Sequence, residues 1–583
     1  MTLFLLMATP SLPASPARPS LLTRRTGWLW LMLGAIAWSL HQAGIGQPRQ
    51  ALVNWDGLSQ LGQFFQASLT PALDPEFLTI IGKATGVTLA YAVCGTTLSI
   101  LVGFGGGILA SGTWWRTLFP VGRPLGWLAP LLWMTCRSLL AVPRAIHELL
   151  WGLLLLHVLG LDPLVAVLAI TIPFGAIVAK VFSEILDETP QQPLQALQAA
   201  GVPPLLAWLY GLLPQAFPNL LSYSFYRFEC SLRSSAVLGV IGAGGLGYEI
   251  LLSLQSLRYQ QLWTSFYALI LLNGAVDLWS ALVRHRLGVT NRLALNLPQA
   301  GSNQNSNGAR SPTQQRLRLS WLAIAIAIPL CFIALELDWR RLWSPHSRTL
   351  LADIATTAIP TWPSGATLAT LMQLSGLTLA MSILAISLAS SGGILFSFLG
   401  AQTMLLPGGL LCSSDQKKHW SIGAWAILLG SRGLLLLSRA IPAPIWALVF
   451  LYGLFPGILP GALALAVHNF GILGRLMAEA NENLPTGPAR ALRTLGASAS
   501  QVILYGILPQ NLPGFLAYSL YRWEVCLRET VIVGLVGAGG LGRRLTEQLS
   551  SFDYAGLTVT LAAFLLLTLA VDLVSHQMRQ ALR

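Results

Sequence analysis

The chain has 583 residues, of which 54% are hydrophobic and only 10% charged, against about a quarter charged in an ordinary soluble domain. With apolar runs near 20 residues recurring along its length, that composition excludes a water-soluble fold and implies a polytopic all-α membrane protein. The net charge of +13, carried mostly by arginine with only four lysines, reads as a membrane-orientation signal and not as a nucleic-acid surface. The six scattered cysteines include no CxxC pair and read as small buried hydrophobes, with no metal or cofactor implied.

In chain order, residues 1–26 form a tail with Arg18, Arg24 and Arg25 and no acid. Its opening MTLFLLMA is too short to span and lacks a cationic start, which argues against a cleaved signal peptide. Arg24-Arg25 reads as the positive flank of a first span in preference to a twin-arginine signal. Span 1 is expected over 28–40 and span 2 over 78–104, separated by a polar loop, 45–77, whose one base (Arg49) and three acids (Asp56, Asp74 and Glu76) give a net charge of −2. Span 3 falls within 125–159, where Arg137, Pro143 and Arg144 imply a kink or a preceding amphipathic helix. Spans 4, 5 and 6 are expected at 164–185, 218–241 and 262–282. Residues 284–318 hold six arginines, no acid and the run GSNQNSNGARSPTQQ, which is a flexible linker.

The pattern restarts with 321–335 as span 7. Gly376 matches Gly86 at an offset of 290, and Arg432 matches Arg137 at 295, so five residues enter between spans 8 and 9, around 413–419. Spans 9 to 12 are expected at 434–454, 459–477, 513–536 and 557–573. This divides the chain into a tail (1–26), a first repeat (27–285), a linker (286–318) and a second repeat (319–583), with about twelve spans as two parallel six-helix repeats. Six spans per repeat put the N-terminus, linker and C-terminus on one side. Their arginines, including Arg579 and Arg583, make that side cytoplasmic; Arg340 and Arg341 run against the rule on the other. The repeats are then related by an axis along the membrane normal.

The duplication is clearest in 210–247 and 505–542, which align without a gap at an offset of 295 with 21 of 38 positions identical. Between spans 4 and 5 each half also carries a shorter pattern. Gln195–Gly201 reads QALQAAG, followed by nine residues and GLLP ending at Pro214. Arg490–Gly496 reads RALRTLG, followed by nine residues and GILP ending at Pro509. This resembles the cytoplasmic loop of permease subunits in binding-protein-dependent ABC importers, whose pattern is Glu-Ala-Ala, three residues, Gly, nine residues, Ile-x-Leu-Pro. The resemblance implies a short helix, a turn at the glycine and docking in a groove of an ATPase subunit. Its residues here are Gln195, Ala196, Gly201 and Pro214, and Arg490, Ala491, Gly496 and Pro509. Glycine suits a positive-φ turn and proline a first helical turn. Gln195 and Arg490 stand where the family has glutamate, and Gly211 and Gly506 where it has isoleucine. The plain alternative is an ordinary helix-turn-helix.

Span 5 narrows the resemblance. Tyr-Arg-Phe/Trp-Glu, three residues and Arg, then GxxGAGGLG, looks like the permease of phosphonate-type importers, over nearly the whole of each half. RAIHE at 144–148 and RAIPA at 439–443 resemble that family's Arg-Ser-Ile-Pro-like kink, with His147 in place of the proline. Tyr226, Arg227, Glu229 and Arg233, repeated as Tyr521, Arg522, Glu524 and Arg528, are candidates to line a translocation path. Arg227 lies about 14 Å into the span at 1.5 Å per residue. An unpaired arginine there costs at least roughly 2.5–3.5 kcal/mol, so these charges either line a wet anion path or hold helices together. Glu229 and Arg233 are spaced to pair on one helix face.

GAGGLG lacks the preceding strand and the GK[ST] of a nucleotide loop. Gly242, Gly244, Gly245 and Gly247, with Gly537, Gly539, Gly540 and Gly542, are candidates for an outer gate, or for tight helix packing. Asp277 and Asp572 match near the inner ends of spans 6 and 12 and read as interfacial pairing. The resemblance implies a type I ABC importer permease with two units fused in one chain, itself no enzyme, carrying phosphonate, phosphate or phosphite. It further implies two copies of an ATPase subunit, an extracytoplasmic substrate-binding protein and a bacterial-type inner membrane. The rivals are an ABC permease for another solute such as methionine, and a secondary transporter built from repeats.

Overall fold

The computed structural model describes residues 24–45, 52–119, 127–286, 312–360, 363–406 and 420–582. Most of the expected tail, the centre of the linker, the expected insertion at 413–419 and Arg583 lie outside them. The described regular structure is helical apart from one β-bridge between Val53 and Leu454.

The first repeat contributes α1 (Arg24–Gln42), α2 (Pro75–Ala110), α3 (Leu128–Ala145), α4 (Glu148–Leu159), α5 (Pro163–Glu188), α6 (Gln192–Ala199), α7 (Leu213–Leu238), α8 (Leu246–Gln255) and α9 (Tyr259–Arg286). The second returns the same order as α10 (Pro312–Ala334), α11 (Gly365–Gly400), α12 (Trp420–Ala440), α13 (Ala443–Gly453), α14 (Ile458–Glu482), α15 (Gly487–Thr494), α16 (Leu508–Val533), α17 (Gly540–Ser550) and α18 (Tyr554–Leu582). Among the described residues seven helices are long and apolar enough to cross a membrane, and two bent pairs, α3/α4 and α7/α8, supply two more spans. With α1, α10 and α16 the total is about twelve. Arg522, Glu524, Arg528 and Glu529 make α16 too polar to read as a span on hydropathy alone.

Span 3 breaks sharply, with α3 and α4 meeting at 82°. Span 9 corrects the sequence reading. It is not one run over 434–454: α12 starts at Trp420, and the chain breaks at Ile441-Pro442 before α13. Pro442 has no amide hydrogen to continue the ladder and disfavours helix at the residue before it.

Small residues set how closely these helices approach. A Cβ on Gly103 of α2 would lie 2.4 Å from Val178 Cγ1 of α5, and one on Gly107 2.7 Å from Phe182 Cβ. In the second repeat, a Cβ on Gly393 of α11 would lie 3.2 Å from the Gly474 nitrogen of α14. Lipid is as apolar as leucine, so this close van der Waals packing, and not water exclusion, holds spans together.

The first span of each repeat packs on the other repeat. Trp38 of α1 lies against Gly376 of α11, and Cys331 and Phe332 of α10 pack on the cluster of Ala90, Tyr91 and Cys94 of α2. Across the seam Val237 of α7 meets Ile532 of α16, with Leu149 of α4 beside them. These two residues correspond at the 295 offset, so the seam there is self-matching.

Candidate functional site: the charged fifth span, its glycine turn and the exposed loops

The α6 and α15 loops close by the same device. At Gly201, φ is +81°; its N–H donates to the Gln198 carbonyl at 3.0 Å, and that of Val202 to Leu197 at 3.1 Å. Gly496 (φ +82°) repeats this, with Gly496 to Arg493 at 3.0 Å and Ala497 to Leu492 at 3.1 Å. This helix-ending pair of bonds needs a left-handed residue, which glycine adopts without a Cβ clash. A wide π-helical turn then leads into α7 or α16, with Pro214 and Pro509 in their first turns. The glycines at the family's isoleucine position have a packing reason: a Cβ on Gly211 would lie 3.0 Å from Leu194 Cα of α6. Gln195, Ala196, Arg490 and Ala491 are exposed, and Leu495, Tyr210 and Tyr505 beside them are 83%, 75% and 74% exposed. α6 bears no charge, whereas α15 bears Arg490 and Arg493.

The fifth span shows the repeats diverging. On α16, Arg522 donates through Nε to Asn469 Oδ1 (2.6 Å) and through Nη2 to Glu529 Oε1 (2.8 Å), while Asn469 Nδ2 donates to Glu529 Oε2 (3.1 Å). On α7 the matching positions are Phe174 and Ser234. The Arg227 guanidinium lies over the Phe174 ring, 3.7 Å from its centroid. The residue is 8% exposed, and its Nε and Nη2 have no hydrogen-bond partner among the described residues. Ser234 Oγ instead donates to Glu148 Oε1 at 2.7 Å, and His147 Nδ1 lies 3.1 Å from Glu148 Oε2. Tyr226 and Tyr521 are 45% and 59% exposed.

The spacing that lets Glu229 pair with Arg233 on one helix face is not used by the matching residues of the second repeat. Glu524 pairs with Arg579 of α18 at 2.6 Å, and Arg528 donates to the Glu524 backbone carbonyl at 3.4 Å. In the first copy Arg233 Nη2 approaches Cys230 Sγ at 3.7 Å. A partner from a neighbouring helix reaches the carboxylate with better geometry than one four residues along the same helix. Asp277 of α9 likewise bonds Arg439 of α12 and approaches Arg475 of α14 at 3.5 Å, linking the repeats. A cleft of about 330 Å³ opens there, lined also by Arg432, Glu479 and Glu482.

The glycine run turns the chain with φ of +97°, +87° and +74° at Gly242, Gly244 and Gly245, and +100°, +83° and +71° at Gly537, Gly539 and Gly540. Thr88 Oγ1 accepts the Leu246 N–H at 2.8 Å, and Thr378 Oγ1 the Leu541 N–H at 2.9 Å, tying the start of α8 and α17 to α2 and α11. Gly247 and Gly542 serve close packing: a Cβ on Gly247 would lie 1.9 Å from the Ala236 carbonyl oxygen.

Sequence reasoning missed Glu529, Asn469, Phe174, Glu148 and the partners of Asp277. These residues sit where the copies differ or on the opposite repeat, so identity between the repeats does not mark them. An acid such as Glu529 inside an apolar span was the available signal.

The family of binding-protein-dependent transport system inner membrane components matches residues 95–288 and 426–583. The chain belongs to that family. As a member it is an inner-membrane transport permease subunit, and the family implies an ATPase and a substrate-binding protein as partners. The phosphate-import permease protein PhnE of Mycolicibacterium smegmatis is 28% identical over 513 residues, 86% of each chain, so the similarity runs through both repeats of this permease. The phosphite transport system permease protein PtxC of Stutzerimonas stutzeri is 37% identical over 150 residues, 26% of this chain and 54% of that protein. An inward-facing structure of the MetNI methionine ABC transporter aligns with 38% of this chain and all of its own at 20% identity and a TM-score of 0.32.

Proposed function

We propose that this permease imports a phosphorus oxyanion (phosphate, phosphite or phosphonate), with two ATPase copies docking on the α6 and α15 loops and a binding protein delivering cargo at the opposite face. The similarity through both repeats to a phosphate-import permease carries this reading. The geometry adds two exposed, glycine-terminated loops and a fifth span that brings arginine into the bundle. Arginine's planar donors suit oxyanions. The tail, linker and C-terminus lie on the loop side, which is cytoplasmic. ATP-driven movement at the loops reaches α7 and α16 through the π-helical turns and changes the seam at Val237 and Ile532. The glycine turns just beyond that seam act as its outer gate.

Proteoliposomes holding the permease with its ATPase and binding protein take up labelled phosphate, phosphite or methylphosphonate only with ATP inside the assembly's reach. Uptake of methionine and of none of the three removes the phosphorus reading.

The loops give a second expected result. Among the described residues nothing lies within 4 Å of a Cβ on Gly201 or Gly496, so valine there strains only the turn, by about 1–3 kcal/mol. Each variant reaches the membrane at near wild-type level, yet ATP-dependent uptake falls several-fold. Unchanged uptake in both, normalised to folded protein, takes the loops out of coupling.

A further inference from the structure

We infer that the permease holds its cargo anion on one repeat only, against the Nε–Nη2 edge of Arg227, while Arg522 serves structure. The inference rests on the reading of the cargo as a phosphorus oxyanion. The two arginines occupy matching positions, but their donors differ. On α16 the Nε–Nη2 edge is filled by Asn469 and Glu529. On α7 the same two atoms are buried without partners among the described residues, because phenylalanine stands for Asn469 and serine for Glu529. The Phe174 ring covers the flat face of the Arg227 guanidinium, which satisfies its charge in part and leaves the in-plane donors. Two parallel N–H groups on one edge are the donor set that a carboxylate or phosphate oxygen pair fits. The nearby acid Glu148 is held by Ser234 and His147. The matching site in the second repeat already contains a carboxylate, so a second anion there would meet Glu529.

The test uses the full chain in complex with its ATPase in lipid nanodiscs, with inorganic phosphate as probe and sulfate as a second arm. Wild-type protein unfolds at a higher temperature in phosphate. Arg227→Gln loses that gain while its own unfolding temperature holds or rises, and Arg227→Lys keeps part of it. Arg522→Gln unfolds earlier yet keeps the gain. Uptake at sub-saturating phosphate in Arg227→Gln falls about tenfold, the size of one charge-assisted pair. The double change Phe174→Asn with Ser234→Glu rebuilds the α16 arrangement around Arg227 and abolishes the phosphate gain in folded protein. A gain that survives in Arg227→Gln or in the folded double variant, or disappears in Arg522→Gln, overturns the one-sided site, as does a wild type that responds to neither anion. A gain with sulfate alone, still lost in Arg227→Gln, keeps the site and overturns the phosphorus reading.

Discussion

Gly247→Ala removes most folded permease from the membrane, whereas Gly244→Ala leaves most of it. At position 247 the new methyl would sit 1.9 Å from the Ala236 carbonyl oxygen and 3.0 Å from Gly239 Cα, all backbone atoms of the helix it crosses. Backbone cannot rotate aside as a side chain can, so α7 and α8 must separate. That places the cost above about 4 kcal/mol, in the range reserved for overpacked cores. At Gly244 no described atom lies within 4 Å, and only the backbone conformation, φ +87° and ψ −167°, resists a side chain, a cost of about 1–3 kcal/mol in a region that glycine almost alone adopts. Gly542 should follow Gly247, since its Cβ would meet Val531 Cα at 2.8 Å. Fluorescence-detected size exclusion and thermal unfolding in detergent measure both. Equal folded yields for Gly247→Ala and Gly244→Ala would show that the turn is loosely packed.

The second large effect is on α16. Glu529→Gln removes the charge facing Arg522 inside the bundle, where both side chains are mostly buried, 11% and 15% exposed. Breaking a buried pair by removing one partner costs about 3–5 kcal/mol, because the other charge is stranded. Ser234→Ala at the matching position of α7 loses only a hydroxyl bond to Glu148, worth about 1.5–3 kcal/mol as a bond to a charged group. Thermal unfolding of the two variants in the same lipid should therefore rank Glu529→Gln as the more damaged. An unfolding temperature for Glu529→Gln at the wild-type value would mean that Arg522 is well solvated and that the network contributes nothing.

Much of this fold was legible in the sequence because both of its periods are strong. Apolar runs of membrane length mark spans, and a 38-residue stretch repeated at a fixed offset marks the duplication. The glycines at 201 and 496 were legible because a helix-ending turn admits few other residues. The early start of α12 was not, because Trp420–Gly433 mixes serine, glycine and arginine with its apolar residues. The exchange of first spans between repeats was hidden as well. Local pattern says that α1 is a span but not which neighbour it meets.

The charged groups show the same limit. Spacing along one helix suggested Glu229 with Arg233, yet Glu524, the copy of Glu229, chose Arg579 from another helix, and Asp277 chose Arg439 from the other repeat. Repeats read through their identities also conceal their differences. Phe174 against Asn469, and Ser234 against Glu529, are mismatches in an alignment. In space they decide which arginine is neutralised.

That one chain supplies both permease units can be read from native mass spectrometry of the complex purified with its ATPase. One copy of this chain with two ATPase subunits is the predicted mass, one ATPase for each of the α6 and α15 loops. A stable, ATP-hydrolysing complex containing two copies of this chain would contradict it.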